Sequence, residues 1–172
     1  IETGSVTTPV YQSATFVHPG YEQSTGFGYS RYGNPTRLEP ENTIAMLEHG
    51  IKAWAFSSGM AAISTMLKLF KPGDHILVSD DLYGGTYRLF TNVYGEYGLQ
   101  FDYIDTTDTE EIKKNLKPNT KAIFVETPSN PMMKVTDLRA VSDLIKERKG
   151  LLIVDNTFLS PYFQKPIDFG AD

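Results

Sequence analysis

Gly150-Leu151-Leu152-Ile153-Val154-Asp155-Asn156-Thr157-Phe158 is the stretch whose reading decides the fold. Four consecutive apolar residues between a glycine and a carboxylate read as a strand buried on both faces, as in parallel sheets. The carboxylate follows at the strand's C-terminal end, where open α/β sheets bind their ligands. Burying an ionised Asp is expensive unless a cation or good donors meet it. Asp155 therefore asks for a partner. The protonated pyridine nitrogen of a bound cofactor is one candidate; a role in capping the following loop is the other. The stretch alone leaves both open.

Working outward, helix and strand signals alternate from Pro35 onward. Residues 37–49 read as a helix ended by Gly50. Residues 53–56 read as a short strand. Apolar residues at 60, 63, 66, 67 and 70 make a helical stripe over 59–70. A turn at 71–74 leads to a strand at 75–78. A helix is expected over 85–97, weakened by Gly95, then a strand at 99–104, a short polar helix at 110–116 and a turn at 117–120. Residues 122–125 form another buried strand. Thr136 is placed to cap a helix whose core face is Leu138, Val141, Leu144 and Ile145, with Gly150 closing it. This rhythm predicts right-handed βαβ units and a mostly parallel α/β sheet in three αβα layers. The last strand falls close to residue 172 with no helix expected after it, so the sequence reads as part of a longer sheet.

Residues 1–34 are different in character, rich in Thr, Ser, Gly, Tyr and Pro without a helical period. Such a segment buries no core of its own. Its aromatic residues, Tyr11, Phe16, Tyr21, Phe27, Tyr29 and Tyr32, predict an arm that serves as contact surface rather than a disordered tail. At 172 residues the chain suits one domain rather than two. A net charge of -5 argues against nucleic acid or an anionic membrane surface as partner. No apolar run approaches the roughly 20 residues a membrane-spanning helix needs. The start, Ile1-Glu2-Thr3-Gly4, has neither a basic nor an apolar region, so no signal peptide is expected, and the absence of Met points to a trimmed N-terminus. Without Cys there is no disulfide, thiolate metal site or Cys nucleophile; no metal is expected, and a reducing compartment, the cytoplasm, fits.

Four loops, each following a strand, carry groups capable of chemistry. Ser57-Ser58-Gly59-Met60 joins a strand to a helix N-terminus, where free N–H groups and the helix dipole favour an anion; a plain Ser cap is the alternative. No Gly-x-Gly-x-x-Gly or Walker loop occurs, so a phosphate fits better than a dinucleotide. Asp81-Leu82-Tyr83-Gly84-Gly85-Thr86-Tyr87-Arg88 puts an aromatic ring at the sheet edge, able to stack on a flat ligand or to fill the core. Glu126-Thr127-Pro128-Ser129-Asn130-Pro131 is a polar loop stiffened by two prolines; Asn130 can meet a phenolic oxygen and Glu126 a neighbouring loop, or either can be a plain turn residue. Asp155 is the fourth. Upstream, Tyr29 and Arg31 in Tyr29-Ser30-Arg31-Tyr32-Gly33-Asn34-Pro35-Thr36 project to one side of an extended segment and can clamp a phosphate, or Arg31 can form a surface ion pair. An anion cradle, an aromatic face, an amide and a carboxylate at one edge describe a flat, phosphorylated heterocycle with a basic nitrogen. Pyridoxal 5′-phosphate (PLP) fits.

In order and in composition these five motifs resemble those of the Cys/Met-metabolism PLP enzymes, which include cystathionine γ-synthase, cystathionine γ-lyase, methionine γ-lyase and O-acetylhomoserine sulfhydrylase. The resemblance spans nearly the whole chain. It implies an aspartate-aminotransferase-like PLP domain, here incomplete, preceded by the N-terminal arm. Residues 1–34 would contact a neighbouring subunit and 35–172 would form the first part of the PLP-binding domain. The assembly implied is a homotetramer of dimers with shared active sites. By the same likeness Gly59 and Met60 bind the phosphate through their backbone, while Tyr29 and Arg31 reach across to the phosphate in the neighbouring subunit. Tyr83 stacks on the ring and serves in proton transfer, Asp155 partners the ring nitrogen, and Arg88 is the substrate-side Arg.

The resemblance also implies a Schiff-base Lys in a Ser-x-Thr-Lys context soon after the Val-Asp-Asn-Thr strand. None of the eleven lysines stands in that context. The expectation is a transsulfuration enzyme acting on cystathionine or a related sulfur amino acid by β/γ-elimination or γ-replacement. Gly84-Gly85-Thr86-Tyr87-Arg88 is more similar to cystathionine lyases and synthases than to methionine γ-lyase, which usually carries Cys where Gly85 stands. The alternative is a non-catalytic fragment that folds and oligomerises.

Overall fold

The computed structural model describes residues 4–172; the expectations for the first three residues of the arm lie outside them. The chain divides into two compact units, Ile1–Ala55 and Phe56–Asp172.

In the first unit the aromatic arm folds back on itself. Thr15 and Tyr29 form an isolated antiparallel bridge, and the rings of Phe16 and Phe27 lie 5.6 Å apart. Asn34 then starts helix α1 (Pro35–Leu47): its side chain accepts the N–H of Thr36, and Pro35 occupies a position where an N–H has no acceptor anyway. That cap starts the helix two residues before the expected 37. At the far end His49 takes the left-handed conformation, φ 58°. Its N–H reaches the carbonyl of Met46, and the Gly50 N–H reaches that of Ala45 at 2.7 Å, so the orphan carbonyls are met. The left-handed residue is thus His49, not the glycine that follows.

The second unit is built on four parallel strands: β1 (His75–Ser79), β2 (Gln100–Ile104), β3 (Thr120–Glu126) and β4 (Leu151–Asp155), in the order β2-β1-β3-β4. The helices are α2 (Gly59–Met66), α3 (Gly84–Leu89), α4 (Thr109–Asn115), α5 (Leu138–Lys146) and α6 (Ser160–Phe163). Alternation along the strands splits the core in two. Leu77, Ile123, Val125 and Leu152 face one side, with Ile112 of α4 and Val141 and Ile145 of α5. Ile76, Val78, Ala122 and Phe124 face the other, with Leu67 and Phe90. The parallel sheet with both faces covered is as expected.

Several local expectations are overturned. No strand forms at 53–56: no described strand offers a ladder there, and an extended segment without one has no regular partners for its N–H and C=O groups. Trp54 stays 63% exposed. The helix expected over 59–70 stays α-helical only to Met66 and tightens to a 3₁₀ turn, Leu67–Leu69. That expected over 85–97 is α-helical to Leu89 and widens to a π turn, Phe90–Tyr94. Asp137, not Thr136, caps α5, accepting the N–H of Ala140 at 3.1 Å; Thr136 is buried, its hydroxyl 2.9 Å from that of Thr106. At the end of α5 Lys149 is left-handed. Gly150 is there for space, because a Cβ would lie 2.6 Å from Ile145 Cδ1.

The strand that opened the sequence reading is only partly as expected. β4 is an outer strand of the four described, and of its four apolar residues Leu152 alone is fully buried. A helix does follow it: α6, with Pro161 in its first turn, and then a 3₁₀ turn, Pro166–Phe169. Among the described residues no helix is long and apolar enough to cross a membrane.

Candidate active site

With the order β2-β1-β3-β4, the connection after β1 runs to one side of the sheet, towards β2, and that after β3 to the other, towards β4, which opens a crevice at the C-terminal ends of β1 and β3. A cavity of about 400 Å³ lies at these ends, lined by Ser58, Gly59, Met60, Tyr83, Glu126, Asn130, Asp155, Thr157 and Phe158 among others. Each of the four loops picked out from the sequence contributes to it.

The α2 end of the cavity is a row of backbone donors. Ser58 caps the helix, its hydroxyl accepting the N–H of Ala61 at 3.1 Å. The first N–H groups of a helix have no intrahelical acceptor, and those of Gly59 and Met60 come from residues that line the cavity. A Cβ at Gly59 would meet nothing within 4 Å, so the glycine keeps open the space in front of this helix end. The Ser-cap reading and the anion-cradle reading are compatible: the cap uses one donor and leaves its neighbours.

Tyr83 sits between β1 and α3, half exposed, with its ring against Gly85 and Met60. A Cβ at Gly85 would come within 2.4 Å of Tyr83 Cε1 and 3.2 Å of Met60 Sδ. The glycine thus leaves room for the ring beside the start of α3.

Two carboxylates stand at the ends of β3 and β4, where Glu126 and Asp155 are register partners. Glu126 is buried, with Oε2 accepting the N–H of Tyr83 at 2.8 Å and Oε1 that of Asn130 at 2.9 Å. Burial, and then the nearby Asp155, push its carboxyl above the usual carboxylate range. Asp155 Oδ1 accepts from the N–H of Thr157 at 3.1 Å and from its hydroxyl at 2.5 Å. Oδ2 accepts no hydrogen bond among the described residues. One oxygen caps the loop, then, and the other is available at the cavity.

Of the remaining sequence-derived candidates, two stand in the first unit and one on α3. Tyr29 and Arg31 belong to the first unit and pair with each other, the guanidinium 5.1 Å from the Tyr29 ring centroid and Nη2 3.4 Å from its hydroxyl. Arg88 is exposed on α3 and does not line the cavity. Ile63, Thr157 and Phe158 line it without having been singled out; the Asp-x-Thr spacing of a side-chain turn was the available signal for Thr157.

The sequence matches the family described as Cys/Met metabolism PLP-dependent enzyme over residues 1–172. The chain belongs to that family. It is 50% identical over 171 residues to "Cystathionine gamma-lyase" of Bacillus subtilis (strain 168), covering 99% of this chain and 45% of the relative. It is 52% identical over 170 residues to "Cystathionine gamma-synthase/O-acetylhomoserine (thiol)-lyase" of the same organism, covering 99% of this chain and 46% of the relative. Its fold superposes with a TM-score of 0.95 on cystathionine gamma-lyase from Lactobacillus plantarum complexed with L-serine, at 46% identity over 99% of this chain and 45% of that one. The chain therefore spans a little under half the length of these relatives. The α/β fold and the Cys/Met-metabolism PLP family are those expected from the motifs.

Proposed function

We propose that the protein containing this chain is a PLP-dependent transsulfuration enzyme acting on cystathionine or a related sulfur amino acid, by β/γ-elimination or γ-replacement. The observation that carries the reading is the shared cavity: one void of about 400 Å³ is lined by a helix end with spare N–H groups, a tyrosine ring, an amide and a carboxylate. That donor set fits PLP. The N–H groups of Gly59 and Met60 suit a phosphate, the Tyr83 ring suits a flat heterocycle, Asn130 suits its phenolic oxygen, and Asp155 suits a protonated ring nitrogen.

Bound PLP supplies the electron sink for a carbanion formed beside the substrate's amino group. Asp155 holds a proton at the ring nitrogen, which keeps that sink strong. Tyr83 keeps the ring plane fixed and moves a proton at its phenolic oxygen. The α2 end offsets phosphate charge with dipoles that need no reorganisation. Arg88 pairs with the substrate side. Residues 1–34 act as an arm on a neighbouring subunit and bring Tyr29 and Arg31 to the neighbour's phosphate, within a homotetramer of dimers that share active sites; 35–172 are the first part of the PLP-binding domain. The covalent Lys lies outside these 172 residues, none of whose eleven lysines lines the cavity. The setting is the cytoplasm.

The test is a reconstitution. The intact protein should carry a Lys in a Ser-x-Thr-Lys context and bind PLP with a visible absorption band that replacement of this Lys abolishes. It should convert cystathionine to a thiol, a keto acid and ammonia, or join cysteine to an activated homoserine with loss of the activating group. A protein with no band and neither reaction would refute the reading.

A further inference from the structure

We propose that Glu126 is a positioning residue that staples the Tyr83 loop to the Asn130 loop, so that ring-stacking face and amide are presented to PLP as one rigid unit. This rests on the cofactor reading above and assigns a role to a residue that need not touch the cofactor. Its two oxygens are divided between two loops that follow different strands: Oε2 takes the N–H of Tyr83, 43 positions away, at 2.8 Å, and Oε1 that of Asn130 at 2.9 Å. The staple is anchored from beneath. The Glu126 N–H donates to Ser79 Oγ at 3.3 Å, and Ser79, Thr106 and Thr136 form a buried hydroxyl chain with successive distances of 2.9 Å.

The choice of an acid here runs against local stability. Glu126 is 6% exposed and stands beside Asp155 in register, so its charge is desolvated and repelled. A glutamine would relieve both penalties. Only a carboxylate, however, has two acceptor oxygens; a glutamine carbonyl can take one of the two N–H groups, and its NH₂ would oppose the other. The two-loop grip is what the acid supplies and the amide cannot.

The experiment uses the intact protein and E126Q, first without cofactor and then titrated with PLP. Amide hydrogen exchange in the cofactor-free state should be about tenfold faster around Tyr83 or Asn130 in E126Q and unchanged elsewhere, as expected for one lost buried hydrogen bond. The PLP dissociation constant should rise about tenfold, and the induced circular dichroism of the visible band should fall, because the ring is no longer held at one angle. Unchanged exchange would overturn the staple. Faster exchange with unchanged affinity and dichroism would overturn the positioning role and leave only a loop tether. Should E126Q fail to fold, E126D keeps the charge but is too short to hold both loops; parent-like exchange there would equally overturn the proposal. If the parent itself shows no visible band with PLP, the cofactor reading and the positioning role fall together, and the exchange result still decides whether the staple exists.

Discussion

Glu126 and Asp155 end adjacent parallel strands in register, so two carboxylates stand side by side at one sheet edge. They are not equivalent. Glu126 is buried, with both oxygens occupied by backbone N–H groups. Asp155 has one oxygen committed to Thr157 and is the carboxylate free to meet a ligand. Asp155→Asn should therefore leave the melting temperature of the intact protein nearly unchanged, since Asn can still accept from Thr157. Turnover should fall by on the order of 10²-fold or more, because a neutral amide does not hold the ring nitrogen protonated. Near-normal turnover would remove Asp155 from the role proposed for it.

Two glycines separate space for a ligand from space for the core. A Cβ at Gly59 would meet open space, whereas one at Gly150 would lie 2.6 Å from Ile145 Cδ1 and 3.0 Å from the Lys121 carbonyl. Gly150→Ala should destabilise the protein by about 1–3 kcal/mol through overpacking, read as a shifted denaturant midpoint. Gly59→Ala should leave that midpoint alone and weaken PLP binding, since the added methyl occupies the room in front of the α2 donors. Equal effects of the two changes on stability would contradict this division.

Among the described residues of the first unit, the partners of Arg31 are the Tyr29 ring and hydroxyl. Arg31→Ala should raise the PLP dissociation constant of the assembled oligomer about tenfold, the loss of a charge-assisted contact, without altering the fold. An unchanged constant by equilibrium titration would exclude it from the phosphate site.

At the opposite edge of the sheet His75 is fully buried at the start of β1. Its Nδ1 lies 2.7 Å from the Thr120 hydroxyl, and Nε2 is 3.3 Å from Asp102 Oδ2 yet out of hydrogen-bond geometry. Asp102 is in turn 2.5 Å from Lys117. Burial, and then Lys117, hold the His75 pKa below its ordinary 6.5, outweighing the pull of Asp102. The unfolded chain thus takes up a proton at a pH where the folded one does not. Stability supplied by neutral His75 is complete above the unfolded pKa and declines as pH falls from about 6.5 towards the folded pKa, by at most about 1.4 kcal/mol per pH unit. Denaturant midpoints measured between pH 7.5 and 5.5 should show this decline, and His75→Gln should flatten it. A parent midpoint independent of pH over this range would rule it out.

Much of this protein was legible in its sequence because the signals were local. The runs 75–78, 122–125 and 151–154 are apolar enough to be strands wherever they are placed, and the motifs at 57–60, 81–88, 126–131 and 150–158 each sit just beyond a strand or before a helix. Burial on both faces of β1 and β3 followed from composition. Caps were harder: whether Thr136 or Asp137 closes α5, and whether His49 or Gly50 turns left-handed, depends on differences of about 1 kcal/mol between adjacent residues. At 136 the contest was settled by a buried hydroxyl partner, Thr106, 30 positions away. The segment 53–56 has strand composition but no described strand beside it, and hydrogen bonding needs a neighbour, not only a propensity.

The order of apolar, polar and glycine residues thus determined by itself that strands and helices alternate, that the sheet is parallel and that three of the four reactive loops follow its strands, since each of these is a matter of period and position along the chain. Only the tertiary structure decided that β1, β3 and β4 lie side by side, that Glu126 joins loops from two of them, and that Asp155 rather than Glu126 keeps an oxygen open to the cavity. Those outcomes depend on which strand becomes the neighbour of which. That is fixed by packing the two core faces at once, and no single stretch of sequence carries it.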